Sequence, residues 1–284
     1  MIRTNKTWLR VIFVITVCTL LFGCAKTLFY KNIDWFVIDY IDEYVSLDRE
    51  QEAILEDRIS RLAAWHKSEE LPRYIAHLKE LESWNKDTLS IDKLKTNREA
   101  LKEHYSRVVN KAAPDLFSLS LLLTEDQQQE FLKNVKKKYD EKDEKYADKT
   151  EQEIRNIIYE SALDALENWI GTTTNEQKQI AKVLAQNVEL NTTDWRTYRA
   201  SIYTELELLF QSQQDSSTYQ RMFMNLLFQP ESYYGVEMNK KIERNIGKTD
   251  DFTLAIAQSM TGKQWKHFHN EIREWRELAE ELMQ

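Results

Sequence analysis

Asp39, Asp42 and Glu43 fall within five positions of one another in a stretch of helical character. Residues three and four apart share a helix face, so a helix would turn all three carboxylates to one side. Adjacent carboxylates raise one pKa and set an acid beside a base, and paired carboxylates also serve glycoside hydrolysis. Structural ion pairs with Arg58, Arg61 or Arg73 are the competing use. His66 and Glu69, three apart, would make half a metal site if a second helix supplied a matching pair. His267 and Glu271, four apart, are a second half-site, while His269 faces elsewhere, and no HExxH occurs. Ser83 and Lys86 have the SxxK spacing of an acylating serine, without the SDN and KTG elements that accompany it. GxSxG, the P-loop and GxGxxG are absent. Lys133, Lys136, Lys137 and Lys138 form a basic run, but Asp140, Glu141, Asp143 and Glu144 follow at once, which reads as a solvated helix laced with ion pairs. No metal and no cofactor is expected.

The elements that must position these residues are helices. Only 5 Gly and 3 Pro occur in 284 residues, too few for sheets joined by tight turns. Charged residues make up 30% of the chain, yet aromatics reach 11%, which a disordered chain lacks. The expected fold is an all-α, irregular multi-helix bundle of about ten helices. Four stretches read cap-x-x-Gln, with Asp48 before Gln51, Thr124 before Gln127, Thr174 before Gln177 and Thr261 before Gln264. Each predicts a helix start closed by a capping box. Residues 28–45, apolar or aromatic on nearly every face, predict a helix buried inside the bundle. Pro114 should end a helix that begins near residue 91, and the 91–125 region is the place for a weak subdomain boundary. Gly171 and Gly247 sit where left-handed helix C-caps are wanted. Trp265, Phe268, Ile272, Trp275, Ala279 and Leu282 alternate at spacings of three and four, an apolar seam for a neighbouring helix. Trp265, Phe268 and Trp275 are the candidates should that seam serve a partner protein instead.

Arg3, Lys6 and Arg10 precede an apolar run, Val11 to Phe22, that is shorter than a membrane span. It ends Leu21-Phe22-Gly23-Cys24, which resembles the lipobox of bacterial lipoproteins, with Phe22 bulkier than the usual residue. The resemblance implies cleavage between Gly23 and Cys24, acylation of Cys24, and a water-facing domain over 24–284 tethered to a membrane by lipid. Ala25, in place of an Asp, resembles the outer-membrane class. The second cysteine, Cys18, lies in the leader, so redox, thiolate and Cys-ligated metal functions are excluded. The net charge of −8 argues against nucleic acid and against broad adhesion to anionic headgroups.

Two segments, Phe29 to Trp35 running on to Gln51, and Trp65-His66-Lys67-Ser68-Glu69-Glu70-Leu71-Pro72-Arg73-Tyr74, resemble a family of proteobacterial lipoproteins defined by a domain of unknown function. Leu123-Thr124-Glu125-Asp126-Gln127 is also similar to the LTxxQ motif of periplasmic stress chaperones, and Met260 to Gln264 nearly so. The expected function is a non-enzymatic interaction module for other envelope proteins. The alternatives are a glycan or lipid hydrolase using Asp39, Asp42 or Glu43, and a holdase of the LTxxQ kind.

Overall fold

A computed structural model describes residues 33–284. The leader expected over 1–23, with Gly23, and the lipidation candidate Cys24 lie outside these residues. In the described chain eleven α-helices, one π turn and one 3-10 turn account for the fold, with no strand. In order, α1 is Ile33–Asp42, α2 Arg49–Trp65, α3 Leu71–Glu82, α4 Ile91–Ser120, α5 Glu125–Ala147 and α6 Glu151–Ile170. There follow α7 Asn175–Asn187, α8 Thr192–Gln211, α9 Ser216–Phe228, α10 Val236–Ser259 and α11 Gly262–Met283. The π turn His66–Glu70 joins α2 to α3, and the 3-10 turn Pro230–Tyr233 precedes α10. The all-α expectation holds. No helix among the described residues is long and apolar enough to cross a membrane.

All four capping boxes form, opening α2, α5, α7 and α11. A fifth, Thr150 with Glu153 in the place of a glutamine, opens α6. The box glutamines also do something that local sequence does not announce. Gln51 and Gln127 exchange amide hydrogen bonds of 2.9 and 2.6 Å, and Gln177 and Gln264 exchange bonds of 3.1 and 2.8 Å. Each pair clamps two helix starts, α2 to α5 and α7 to α11, while the same side chains still accept from their own caps.

The α11 seam is used within the chain. Ala279 and Leu282 pack with Leu71, Tyr74 and Ile75 of α3, while Phe268 packs on Leu166, Ile170 and Ile256. The helices α3 and α11 run antiparallel, since Leu71 meets Ala279 and Glu82 meets Arg276 at 2.9 Å. Burying a side chain such as Leu71 contributes about 2 kcal/mol.

Three expectations are overturned. The first helix is not enclosed: α1 packs chiefly on α2, one neighbour covers one side, and Trp35 and Tyr40 remain 59% and 60% exposed. Pro114 does not end a helix; α4 runs through it to Ser120. The carbonyl that loses its donor there belongs to exposed Asn110, where water can replace the missing bond. Gly247 is no cap, because α10 continues from Val236 to Ser259 and only Gly171 has a positive φ among the described residues. Gly171 does close α6, at φ 76 and ψ −153, a region open to glycine rather than the left-handed helical one. The helix α4 packs against α2, α9 and α10.

Candidate functional site

The acidic trio on and after α1 does not form a site. Asp39, Asp42 and Glu43 are exposed, and the Glu43 carboxylate lies 2.6 Å from Lys138 Nζ. None of the three lines the cavities described below. The arginines named as their partners are engaged elsewhere, Arg58 with Asp115 at 2.6 Å, Arg61 with Asp57, and Arg73 with Glu70 at 3.6 Å. The SxxK pair is inert: Ser83 Oγ donates to the Glu80 carbonyl at 2.6 Å as α3 ends.

The metal half-sites are not completed either. His267 meets Glu271 at 3.6 Å and covers Gly171, while His269 Nε2 bonds the Trp84 carbonyl oxygen at 2.7 Å. No group of three His, Cys, Asp or Glu that could hold a metal occurs among the described residues. The pairing of His66 with Glu69 fails for a local reason. Pro72 has no N–H to close onto the Ser68 carbonyl, and the helix widens by one residue, with Leu71 N–H reaching back to His66 O. The widening leaves Glu69 exposed and buries Glu70 completely.

Glu70 anchors a buried polar chain. Arg107 Nε donates to Glu70 Oε1 at 2.6 Å, and Arg107 Nη2 approaches His104 Nδ1 at the same distance. A guanidinium can only donate, so His104 Nδ1 carries the lone pair and Nε2 the proton. His104 Nε2–H then donates to His77 Nδ1 at 3.1 Å, and His77 Nε2–H to Asn97 Oδ1 at 2.8 Å. Tyr74 sits edge-on to both His66 and His104. Burial pushes the His104 and His66 pKa values down, with Glu70 opposing in each case. Burial would raise the Glu70 pKa, but the hydrogen bond and charge of Arg107 outweigh it and hold it below the usual carboxylate range. A cavity of about 310 Å³ reaches this network. All four ring nitrogens of His77 and His104 are already engaged, so none is left to take a substrate proton.

A larger concavity lies elsewhere, a cleft of about 750 Å³ between the end of α5, the start of α6, the turn from α7 to α8, and the first turns of α8. Its floor is apolar, from Ile154, Ile157, Ile158 and Val188, with Tyr146 and Trp195 at the sides. Its rim is cationic. Lys142, Lys145 and Lys149 stand three and four apart at and just past the end of α5, opposite Arg196 and Arg199 on α8. The two acids in the lining are already neutralised. Asp143 is held by Arg199 and, at 3.8 Å, by Arg196. Glu189 is gripped by Arg244 and Lys248 and pushed down to about 2. Among the described residues, Lys142, Lys145 and Lys149 form no ion pair. The wall is rigid: Arg155 donates to the carbonyls of Ala185, Gln186 and Val188, and Asn245 bonds both the N–H and the carbonyl of Glu189.

A third concavity, about 300 Å³ and almost wholly apolar, opens between α1, α2 and α4. Val37 and Ile41 of α1 form one wall, and Leu55, Ile59, Leu62, Val108 and Leu116 form much of the rest. Of the seam residues considered for a partner, Phe268 is packed in the core and Trp265 lies edge-on to it, while Trp275 is 43% exposed.

Sequence reading found neither the Glu70 network nor the cleft. The signal for the first was Pro72 following two glutamates inside a helical pattern. The signal for the second was the 142, 145, 149 spacing, hidden by the acids interleaved with it. A family model described as "Family of unknown function (DUF6279)" matches residues 43–239. No curated protein and no solved structure matches the chain.

Proposed function

This chain belongs to the family of unknown function DUF6279, and we propose that it is a lipid-anchored binding module of the bacterial cell envelope. In this reading Cys24 carries the lipid, the helical domain stands on the periplasmic face of the outer membrane, and the protein acts by holding other envelope proteins. The observation that carries the reading is α1. Trp35 and Tyr40 are open to water, next to an apolar cleft lined by Val37 and Ile41, and the helix starts at Ile33, nine positions after Cys24. Exposed apolar surface of this kind favours a protein partner over a small polar substrate. The carboxylates that a hydrolase would need lie outside any such cleft.

The test is photo-crosslinking in intact cells, with a probe at Trp35 or Tyr40 and the wild-type anchor beside Cys24→Ser. A few discrete adducts that vanish with the anchor are expected, and their mass identifies the partner. A diffuse smear independent of the anchor would replace the reading with a holdase. An absence of adducts would remove the interaction reading altogether.

A further inference from the structure

The cationic cleft between α5 and α8 gathers the groups that recognise an acidic sugar, and nothing about an α1-centred interaction requires it. Carbohydrate sites combine flat apolar faces for the C–H side of a ring, amide and hydroxyl groups for its hydroxyls, and cations where the sugar bears acid. Trp195 supplies the first, beside Tyr146, whose ring already carries Lys145 Nζ at 5.6 Å. Asn191, Thr192 and Thr193 supply the second, at the mouth of α8, and their side chains form no hydrogen bond among the described residues. Lys142, Lys145 and Lys149 supply the third, with Arg196 and Arg199 beyond Asp143. A volume of about 750 Å³ lies within the ordinary range of ligand sites, about 300–1,000 Å³. The lining is organised before any ligand arrives, because Arg155, Asn245, Arg244 and Lys248 already lock the turn that forms its wall. The overall charge of −8 makes the local excess of cations the more selective, since an anion is repelled by much of the surface and drawn to this one place.

We propose that this cleft binds a saccharide of one to three rings bearing a carboxylate or phosphate, with a ring on Trp195 and the acid group among Lys142, Lys145 and Lys149. A free sugar and the end of an envelope glycan present the same chemistry to these groups.

The test is calorimetric titration of the full chain in polyoxyethylene detergent micelles. The probes are glucose 1-phosphate, a uronic-acid disaccharide, the neutral disaccharide maltose, and inorganic phosphate. The expected result is binding of at least one acidic sugar, weakened about ten-fold or more by Lys142→Gln with Lys149→Gln, and weakened by added salt. Maltose should give no heat, and inorganic phosphate should bind more weakly than the sugar. Whichever acidic sugar binds fixes the acid group, and competition by an extracted envelope glycan separates the polymer from the free sugar as its source. Three results would each overturn the proposal. Neither acidic sugar binds up to about 10 mM; binding survives the double variant unchanged; or inorganic phosphate binds as tightly as the sugars, which would make the cleft a bare patch of cations.

Discussion

Glu70 and Lys142 both carry charge in concave parts of the same molecule, but their surroundings differ. Around Glu70, Arg107, His104, His77 and Asn97 hand hydrogen bonds from one to the next within the chain. Around Lys142, the two acids that line the cleft are bound to other cations, Lys142 and Lys149 form no ion pair among the described residues, and Lys145 Nζ lies 5.6 Å over the Tyr146 ring. A closed network uses its polar groups to specify the fold, whereas an open one leaves them for a ligand. Both sit beside cavities, so concavity alone does not separate them. The accounting of hydrogen bonds does.

The largest effect should come from breaking the closed network. Glu70→Ala removes a fully buried carboxylate and leaves Arg107 without its counter-charge. The expected loss is about 3 kcal/mol, the lower part of the range for one partner of a buried pair, because Arg107 can turn partly to water. Urea unfolding followed by circular dichroism measures it. A loss under about 1 kcal/mol would mean that the network is not a structural element and would reopen the case for chemistry at His104.

How far the molecule is legible in its sequence divides along the same line. Helix starts are legible, because a capping box is settled within four residues. The glutamine clamps are not, because Gln51 finds Gln127 only once the 76-residue separation between them has folded. Helix ends mislead at Pro114 and Gly247, where solvent exposure makes a breaker tolerable, and a side chain placed at Gly247 would meet nothing within 4 Å. The metal reading at His66 and Glu69 assumes 3.6 residues per turn through a segment that is π-helical. The acidic trio is read on a helix taken to be buried, and α1 has too few neighbours for that. The cleft requires knowing that Asp143, interleaved with the lysines, is taken by arginines of α8, and that Glu189, distant in sequence, is taken by cations of α10.

The clamps sharpen the comparison next, since they are closed networks without charge. Gln177 is fully buried and accepts from both Thr174 N–H and Gln264, while its counterpart Gln127 is half-buried. Gln177→Ala should cost about 2 kcal/mol and Gln127→Ala about 1 kcal/mol, in proportion to the buried groups left without partners. Equal losses measured by thermal unfolding would show that the caps alone matter and that the pairing between helices adds nothing.

Acid should loosen the closed network before it touches the open one. His104 and His66 are both held below the ordinary histidine pKa of 6.5 by burial. Between that value and their folded pKa values the unfolded chain binds more protons than the folded one. Stability is therefore full above about pH 6.5 and falls as the pH drops below it. Proton addition at His104 Nδ1 also displaces the donor contact from Arg107. Unfolding midpoints compared at about pH 7 and pH 5 should show the fall, and His104→Gln should flatten it. A midpoint unchanged across that interval in the wild type would place the titrating groups outside the fold.

The smallest expected effect is at the open site. Lys142 and Lys149 are exposed and form no ion pair among the described residues. Lys142 stands on α5, where glutamine has almost the same helix propensity as lysine, and Lys149 lies just past its end. Replacing both with Gln should shift stability by less than about 0.5 kcal/mol, the usual limit for surface positions away from caps, cores and buried pairs. The sign should be slightly favourable at low salt, since Lys142, Lys145 and Lys149 repel one another along one edge of the cleft and salt screens that repulsion. Chemical unfolding of the double variant beside Glu70→Ala measures both ends of the comparison in one experiment. A double variant as damaged as Glu70→Ala would mean that the lysines are tied into the fold after all, and the distinction between a closed and an open charged site would not survive it.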